Sequence, residues 1–158
     1  MRSKGFKRSE AGATLAEFAI VASVFFMVII GIVELGRLFY THNALTDAAR
    51  RGARYAVLHK EADAACVKNV VVYGETHLDP NTCAPTGQPL INGLVPANVT
   101  VLYQGNAPTP FGMNLGVATV TINYSFTLSI PLFTRTIQMP AYSSTLTAES
   151  AGEIPADI

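Results

Sequence analysis

The strongest pattern in the sequence is a continuous apolar run near the amino terminus. Phe18–Val33 contains sixteen residues and no charge, and the extended segment Thr14–Leu35 contains twenty-two residues. At about 1.5 Å per residue, a helix of that length spans the roughly 30 Å of hydrocarbon in a bilayer, with Glu17 and Glu34 near its two ends. The pattern therefore predicts a single membrane-crossing helix.

A secretory signal peptide is the alternative interpretation of this apolar run. The hydrophobic core of a signal peptide is usually about 7–15 residues long and is followed by a small-residue cleavage site. No Ala-x-Ala-like site follows the run before Glu34 and Arg37. We therefore expect the segment to remain in the protein as an anchor.

Beyond the apolar run, the helix is predicted to continue as an amphipathic stalk to residue 57. Its apolar face is formed by Leu35, Leu38, Leu45, Ala49, Gly52 and Ala56. Small residues recur every fourth position at Ala44, Ala48, Gly52 and Ala56, a row that permits close approach of another element. That element is either the protein's own sheet or a neighbouring helix in a filament, and we favour packing within the molecule.

The rest of the chain predicts one further helix and an antiparallel sheet. Residues 61–73 fit a helix ended by Gly74, although Val70–Val72 also favours a strand. The following twenty residues are rich in proline and glycine turn signals and predict a loop. Alternating apolar and polar residues predict a long strand over Val117–Ile130.

Two more strands are predicted at Asn98–Tyr103 and Tyr142–Glu149, separated from the long strand by turns at 105–116 and 131–140. The predicted fold class is therefore α+β: a long N-terminal transmembrane and stalk helix with a small antiparallel β-sheet head of three or four strands. We expect the sheet to pack on the stalk.

The charge is zero overall but is distributed unevenly along the chain. Residues 1–55 carry eight Lys or Arg against four Asp or Glu, whereas residues 56–158 carry three against seven. A nucleic-acid-binding protein needs Lys or Arg along its binding face, and the larger part of this chain is acidic. We therefore expect no nucleic-acid partner.

The basic amino terminus sets the predicted orientation in the membrane. Four basic residues, Arg2, Lys4, Lys7 and Arg8, occupy the first eight positions. They should stay on the cytoplasmic side, which places the rest of the chain outside. Basic residues beyond the run argue weakly against this orientation, but they are dispersed. The helical spacing also allows Glu34 to pair with Arg37 and Asp47 with Arg51.

The junction before the apolar run carries the candidate chemistry. A cut after Gly12 would give Ala13 a new α-amino group, and Glu17 lies one helical turn away at i+4. A charge in a membrane helix costs roughly 2.5–3.5 kcal/mol on insertion scales, so such residues usually pair. Glu17 could meet the Ala13 ammonium of a neighbouring subunit and fix the register. The alternative is that Glu17 lies in the headgroup region and reaches water.

Three segments of the first third carry a resemblance to a known family. They are Gly12–Phe18 (G-A-T-L-A-E-F), Gly31–Phe39 (G-I-V-E-L-G-R-L-F) and Asn43–Val57 (N-A-L-T-D-A-A-R-R-G-A-R-Y-A-V). With the apolar helix, they resemble the TadE-like pseudopilins of the tight-adherence (Flp-type) pilus, a branch of the type IV pilin superfamily. Other type IV pilins usually have phenylalanine after the cut. Alanine there, with Glu-Phe further on, favours the Flp-type branch.

The resemblance implies cleavage between Gly12 and Ala13 by a membrane-embedded prepilin peptidase on the cytoplasmic face. Glu17 would be the carboxylate used in processing and assembly, with Phe18 as its aromatic neighbour. The implied division is a cytoplasmic leader at 1–12, a transmembrane helix at 13–36, a stalk helix at 37–57 and an extracytoplasmic α+β head at 58–158. Because a major Flp pilin is little more than a helix, the additional residues fit a minor pilin.

The resemblance also implies a function and a set of partners. The chain would be a minor pilin or pseudopilin that takes part in assembly of a tight-adherence pilus for surface adhesion. Its partners would be the prepilin peptidase, the pilin and sibling pseudopilin subunits, and the inner-membrane assembly platform. It would cross the bacterial inner membrane once, with the N-terminus cytoplasmic and the head periplasmic, and could be incorporated in the pilus at the cell surface.

The alternative function is a permanently membrane-anchored extracytoplasmic binding module or hydrolase unrelated to pili. The spacing between Gly12 and Glu17 would then be accidental. A chain that keeps its Met1 end in cells with an active prepilin peptidase would favour this alternative.

Cys66 and Cys83 are the two cysteines of the chain, on the side of the predicted membrane helix where oxidation is plausible. We expect a disulfide, which would join the proline-rich loop to the end of the preceding helix and remove roughly 3 kcal/mol of denatured-state entropy. If both thiols stay reduced, Cys66 is a small buried apolar residue.

Sequence motifs for catalysis or metal binding are absent. The histidines, His42, His59 and His77, lie in separate predicted segments, and the chain has no C-x-x-C, H-E-x-x-H, G-x-S-x-G or phosphate-binding glycine loop. We therefore expect no enzyme activity, no metal or other cofactor, and no small-molecule substrate.

Overall fold

The element order was obtained from a computed structural model, which describes residues 8–59, 61–79, 81–105, 116–130 and 133–148. The elements are α1 (Arg8–Val57), α2 (Ala64–Tyr73), β1 (Val99–Gln104), β2 (Val117–Ile122), β3 (Ser125–Ile130), β4 (Phe133–Gln138) and β5 (Tyr142–Thr147). A long amino-terminal helix followed by a small set of antiparallel strands confirms the predicted α+β class.

Helix α1 is continuous over 50 residues, a length of about 75 Å at 1.5 Å per residue. Its first half presents large apolar side chains to the outside, whereas its second half buries one face against the rest of the molecule. Leu45, Ala48, Ala49, Ala53 and Ala56 are each at most 2% exposed. The prediction that the stalk packs within the molecule is therefore confirmed.

Gly52 allows the closest approach to α1. A methyl group built on this glycine would overlap the side chain of Val71 on α2 and would lie 3.3 Å from Cγ1 of Val120 on β2. Both valines are fully buried. At Gly52, the predicted row of small residues therefore lets α2 and β2 contact the same turn of α1.

Strand β2 is the centre of a three-stranded antiparallel sheet with the order β1-β2-β5. Its register pairs Ile122 with Val99 of β1 and with Tyr142 of β5. The inward residues Ala118, Val120 and Ile122 are fully buried, and they alternate with half-buried threonines as expected for a strand with one face on the core. The core lies between this sheet, α1 and α2.

The predicted long strand over 117–130 is wrong in one respect, because it is broken at Asn123 and Tyr124 into β2 and β3. At the break the backbone changes partners. The Asn123 N–H donates to the Asn98 carbonyl, and the Tyr124 carbonyl accepts from the Met139 N–H. Strand β3 then leaves the first sheet and pairs with β4. The alternation hides this break because Phe126, like Ile122, is buried.

The turn predicted over 131–140 is also wrong, because β4 occupies Phe133–Gln138. Strands β3 and β4 form a two-stranded antiparallel ribbon, bringing the described strands to five instead of three or four. Residues 134–138 are all exposed. None of them therefore marks a buried face, which is the feature by which alternation identifies a strand in a sequence. Most of the turn predicted at 105–116 lies outside the described residues, as does Glu149.

The helix predicted over 61–73 is confirmed as a short 3-10 turn, Glu61–Asp63, followed by α2. Val70, Val71 and Val72 are fully buried, so packing against α1 and the sheet outweighs their preference for strands. Gly74 ends the helix with φ +78°, a left-handed conformation that glycine adopts without a steric cost.

Candidate functional site

The predicted cleavage junction lies within α1 itself. Gly12 and Ala13 lie on one turn of the helix, and Glu17 and Phe18 lie on the next. All four residues are exposed. Ala13 and Glu17 share a face because they are four residues apart. The structure therefore brings these predicted residues together on an outward surface, well before the part of α1 that packs on the head.

Gly12 has no structural reason inside the molecule to be a glycine. A Cβ built there meets nothing within 4 Å, in contrast to the same atom at Gly52. Glycine weakens a helix interior by about 1 kcal/mol relative to alanine. The same is true at Gly31 and Gly36, so close packing within the molecule explains none of these three glycines.

The apolar run exposes large hydrophobic side chains around α1. Phe18, Phe25 and Phe26 are 70%, 59% and 60% exposed. Within the described residues, α1 is the one helix long and apolar enough to cross a membrane. A core helix of a soluble protein would bury these rings, so the run requires an external apolar cover.

Glu34 lies directly after the apolar run and is 6% exposed. Its Oε1 atom accepts a hydrogen bond of 2.8 Å from the backbone N–H of Ser129 on β3. The same oxygen is 3.2 Å from Nη2 of Arg37, which confirms the predicted pair. A carboxylate with little access to water is thus satisfied by one backbone donor and one cation.

Arg37 extends this contact along β3. Its Nη2 also donates to the backbone carbonyl of Thr127, and its guanidinium carbon lies 4.6 Å from the ring centroid of Phe126, a cation–π distance. We call Glu34, Arg37, Phe126, Thr127 and Ser129 the interfacial clasp. It joins the β3–β4 ribbon to α1 at the end of the apolar run.

The sequence identified Glu34 and Arg37 as partners of each other but missed their role in the clasp. Their contacts on β3 are 95 and 90 residues away along the chain. No local pattern reports such a pairing. The available signal was the position of an acidic residue at the boundary of an apolar run, where an uncompensated carboxylate is costly.

A groove of about 410 Å³ opens beside the clasp. It lies between α1, at Arg37 and Tyr40, and the loop Leu90–Gly93, with Tyr124 on its third side. The Tyr124 hydroxyl donates to the Asn92 carbonyl at 2.6 Å, which fixes this loop to the start of the ribbon. The groove therefore lies between α1, the Leu90–Gly93 loop and the start of β3.

The histidines hold local structure and do not converge. His42 Nδ1 is 2.7 Å from the Tyr142 hydroxyl, and burial raises the pKa of Tyr142. His59 stacks on Tyr55 with ring centroids 3.8 Å apart, and His77 lies in the turn after α2. In the described part of the chain, no three His, Cys, Asp or Glu side chains cluster as a metal site would need.

Cys66 on α2 and Cys83 in the following loop form a disulfide, with Cα atoms 5.3 Å apart. The Asn69 side chain donates to the Cys83 carbonyl at 2.9 Å. Asp79 accepts hydrogen bonds from the backbone N–H groups of Asn81 and Thr82, and these bonds hold the pKa of its carboxyl below the usual value. The loop is thus tied to α2 and ordered from within.

One comparison with known proteins bears on the amino-terminal helix. Residues 12–54 match the family model of the TadE-like proteins. This match agrees with the resemblance carried by the sequence, and it suggests a protein associated with the tight-adherence pilus. It covers about a quarter of the chain. No curated protein and no solved structure matches the chain.

The TadE-like segment, residues 12–54, begins at Gly12 and ends three residues before α1 does. It contains the whole predicted junction and the two clasp residues on the helix, Glu34 and Arg37. The clasp residues on β3 and every described strand lie outside it. The family match therefore lies within α1, whereas the strands are described by the structure alone.

Proposed function

We propose that the chain is a minor pilin or pseudopilin that is processed after Gly12 and takes part in assembly of a tight-adherence pilus for surface adhesion. The observation that carries the proposal is the TadE-like match over residues 12–54. It is supported by an exposed apolar helix whose far half bears a folded head. The proposed parts are a leader at 1–12, a transmembrane helix at 13–36, a stalk at 37–57 and a head at 58–158.

The proposed location is the bacterial inner membrane, with the leader cytoplasmic and the head periplasmic. The basic residues of the leader favour the cytoplasmic side. The disulfide between Cys66 and Cys83 favours an oxidising compartment for the head. The two observations are independent, and both support the proposed orientation.

The proposed role of Glu17 begins with the cut. Removal of the leader turns the backbone nitrogen of Ala13 into an ammonium, one helical turn from the Glu17 carboxylate. Glu17 is exposed and lies seventeen residues, or about 25 Å, before the clasp at Glu34. The head therefore leaves this carboxylate accessible to a partner. A neighbouring subunit's ammonium would compensate its charge and fix the stagger between helices.

The first test is the amino terminus of the membrane form. In cells with an active prepilin peptidase, intact mass and N-terminal sequencing should give a chain that starts at Ala13. Gly12→Val should block the cut, while Gly31→Val should leave it unchanged. Both variants should fold, because a Cβ added at either glycine meets nothing within 4 Å. An intact Met1 end in the wild-type chain would contradict the proposal and favour a permanently anchored module.

The second test concerns Glu17 after processing. Glu17→Gln should reduce the number of pili per cell by about tenfold or more, because an uncompensated ammonium in an apolar helix bundle costs more than 1.4 kcal/mol. The chain should remain in the membrane at its normal level. Asp47→Asn is the matched control, since Asp47 is an exposed carboxylate on the stalk paired with Arg51. Equal piliation in the two variants would contradict the assembly role.

A further inference from the structure

The β3–β4 ribbon runs along α1 towards the apolar run. Successive contacts give its direction. The Thr127 carbonyl is held by Arg37, and the Ser129 N–H is held by Glu34. As the residue numbers rise along β3, they fall along α1, so the strand descends the helix from the stalk towards the membrane segment.

The end of the ribbon reaches the level of the apolar run. Between the two contacts, two residues of β3 match three residues of α1. A further step along β3 therefore matches one to two residues of α1. Ile130 follows Ser129 and therefore lies at about the level of Ile32, inside Phe18–Val33. In the ribbon register, Ile130 pairs with Phe133.

The first and last pairs of the ribbon differ in polarity, whereas apolar and polar residues alternate along β3 between them. Beside the stalk, the exposed pair Ser125 and Gln138 is joined by a side-chain hydrogen bond of 2.7 Å. The last pair, Ile130 and Phe133, consists of two apolar residue types. Between them, Arg135 is exposed and pairs with Leu128.

This spacing matches the layers of a bilayer surface. The headgroup region of one leaflet is about 5–8 Å thick, the difference between the whole bilayer and its hydrocarbon core. Arg135 is two strand residues from the Ile130 level, or about 7 Å further out. A cation at that height lies among the phosphates, which attract Lys and Arg.

We infer that Ile130 of β3 and Arg135 of β4 make a second, shallow contact with the bilayer that holds α1. Ile130 lies at the boundary of the acyl chains, and Arg135 lies at the phosphates of the leaflet on the side of the head. The contact is shallow because the open edges of a two-stranded ribbon need water for their backbone groups. Because the clasp holds the ribbon to α1, the contact limits the tilt of the helix in the bilayer. The inference rests on the proposed membrane anchor.

Tryptophan fluorescence tests this inference directly, because the chain contains no tryptophan. The variants Ile130→Trp, Thr134→Trp, Phe25→Trp and Leu102→Trp would each be prepared in the full chain. Thr134 is exposed, so its variant guards against misfolding caused by the change at Ile130. Each protein would be reconstituted in phosphatidylcholine–phosphatidylglycerol vesicles containing lipids brominated near the glycerol or near the methyl end of the chain.

The variants are chosen for different heights above the membrane centre. Leu102 is exposed on β1 and pairs with Thr119, beside the strand residue that contacts Gly52. It therefore lies about 27 Å beyond Glu34 along the helix.

The Phe25→Trp fluorescence should be quenched by the deep bromines. The Ile130→Trp fluorescence should fall by about half with the shallow bromines and less with the deep ones. Leu102→Trp should be unquenched, and Thr134→Trp should show weaker shallow quenching.

The outcomes separate the inference from the proposed anchor. If Phe25→Trp is quenched while Ile130→Trp and Thr134→Trp behave like Leu102→Trp, the ribbon contact is overturned and the anchor stands. Shielding of Ile130→Trp from aqueous acrylamide without quenching by brominated lipid would mean that a neighbouring subunit covers the ribbon, which also overturns the inference. An unquenched Phe25→Trp would overturn the anchor itself.

Discussion

Leu45→Ala is expected to lower the free energy of unfolding of the head by about 2–5 kcal/mol. Leu45 is fully buried in the cluster where the stalk half of α1 meets the sheet and α2. Truncation removes its transfer free energy and leaves a cavity between elements that are far apart in sequence. The measurement is thermal unfolding of the full chain in detergent, followed by the near-ultraviolet circular dichroism of the tyrosines.

Leu35→Ala is the matched control for this prediction. Leu35 belongs to the same helix and was predicted on the same apolar face, but it is 51% exposed. Its truncation should change the unfolding free energy by no more than about 0.5 kcal/mol. If the two variants melted together, the head would not be docked on the stalk as the structure has it.

Replacement of both cysteines, Cys66→Ser with Cys83→Ser, is expected to cost about 3 kcal/mol of stability. The bond closes a loop between positions separated by 17 residues, and the main effect is a larger entropy of the unfolded chain. The proline-rich loop would still keep its internal bonds at Asp79 and the contact from Asn69. The measurement is the midpoint of denaturant unfolding, with and without a thiol reductant.

The reductant supplies the control for the disulfide prediction. It should lower the midpoint of the wild-type chain to that of the double variant and should leave the double variant unchanged. A wild-type midpoint that does not move, with both thiols shown to be free, would mean that the bond contributes nothing to the stability of the head.

Helix α1 serves two environments, and its glycines show the division. A Cβ built on Gly12, Gly31 or Gly36 meets nothing within 4 Å, whereas one built on Gly52 overlaps the side chain of the buried Val71. Among these glycines, close packing against the head is therefore confined to the second half of the helix. The clasp at Glu34 and Arg37 lies where one environment gives way to the other.

The sequence by itself determined the features that depend on neighbours along the chain. The apolar run, the α2 helix and the ion pairs Glu34–Arg37 and Asp47–Arg51 follow from helical spacing and hydropathy. Strands β1, β2 and β5 follow from alternation, because one face of each lies towards the core. The junction at Gly12 to Glu17 was also found by spacing, and its role remains a prediction.

Only the tertiary structure decided which surfaces meet. Residues 134–138 of β4 are all exposed, so no buried face marks this strand, and the break at Asn123 is set by a bond to Asn98 that lies on another element. The hydrogen-bond partners of Glu34 and Arg37 on β3 are 95 and 90 residues away. A local pattern reports which side of an element is buried, but not what buries it. The descent of the ribbon to the apolar run is therefore visible only in the folded chain.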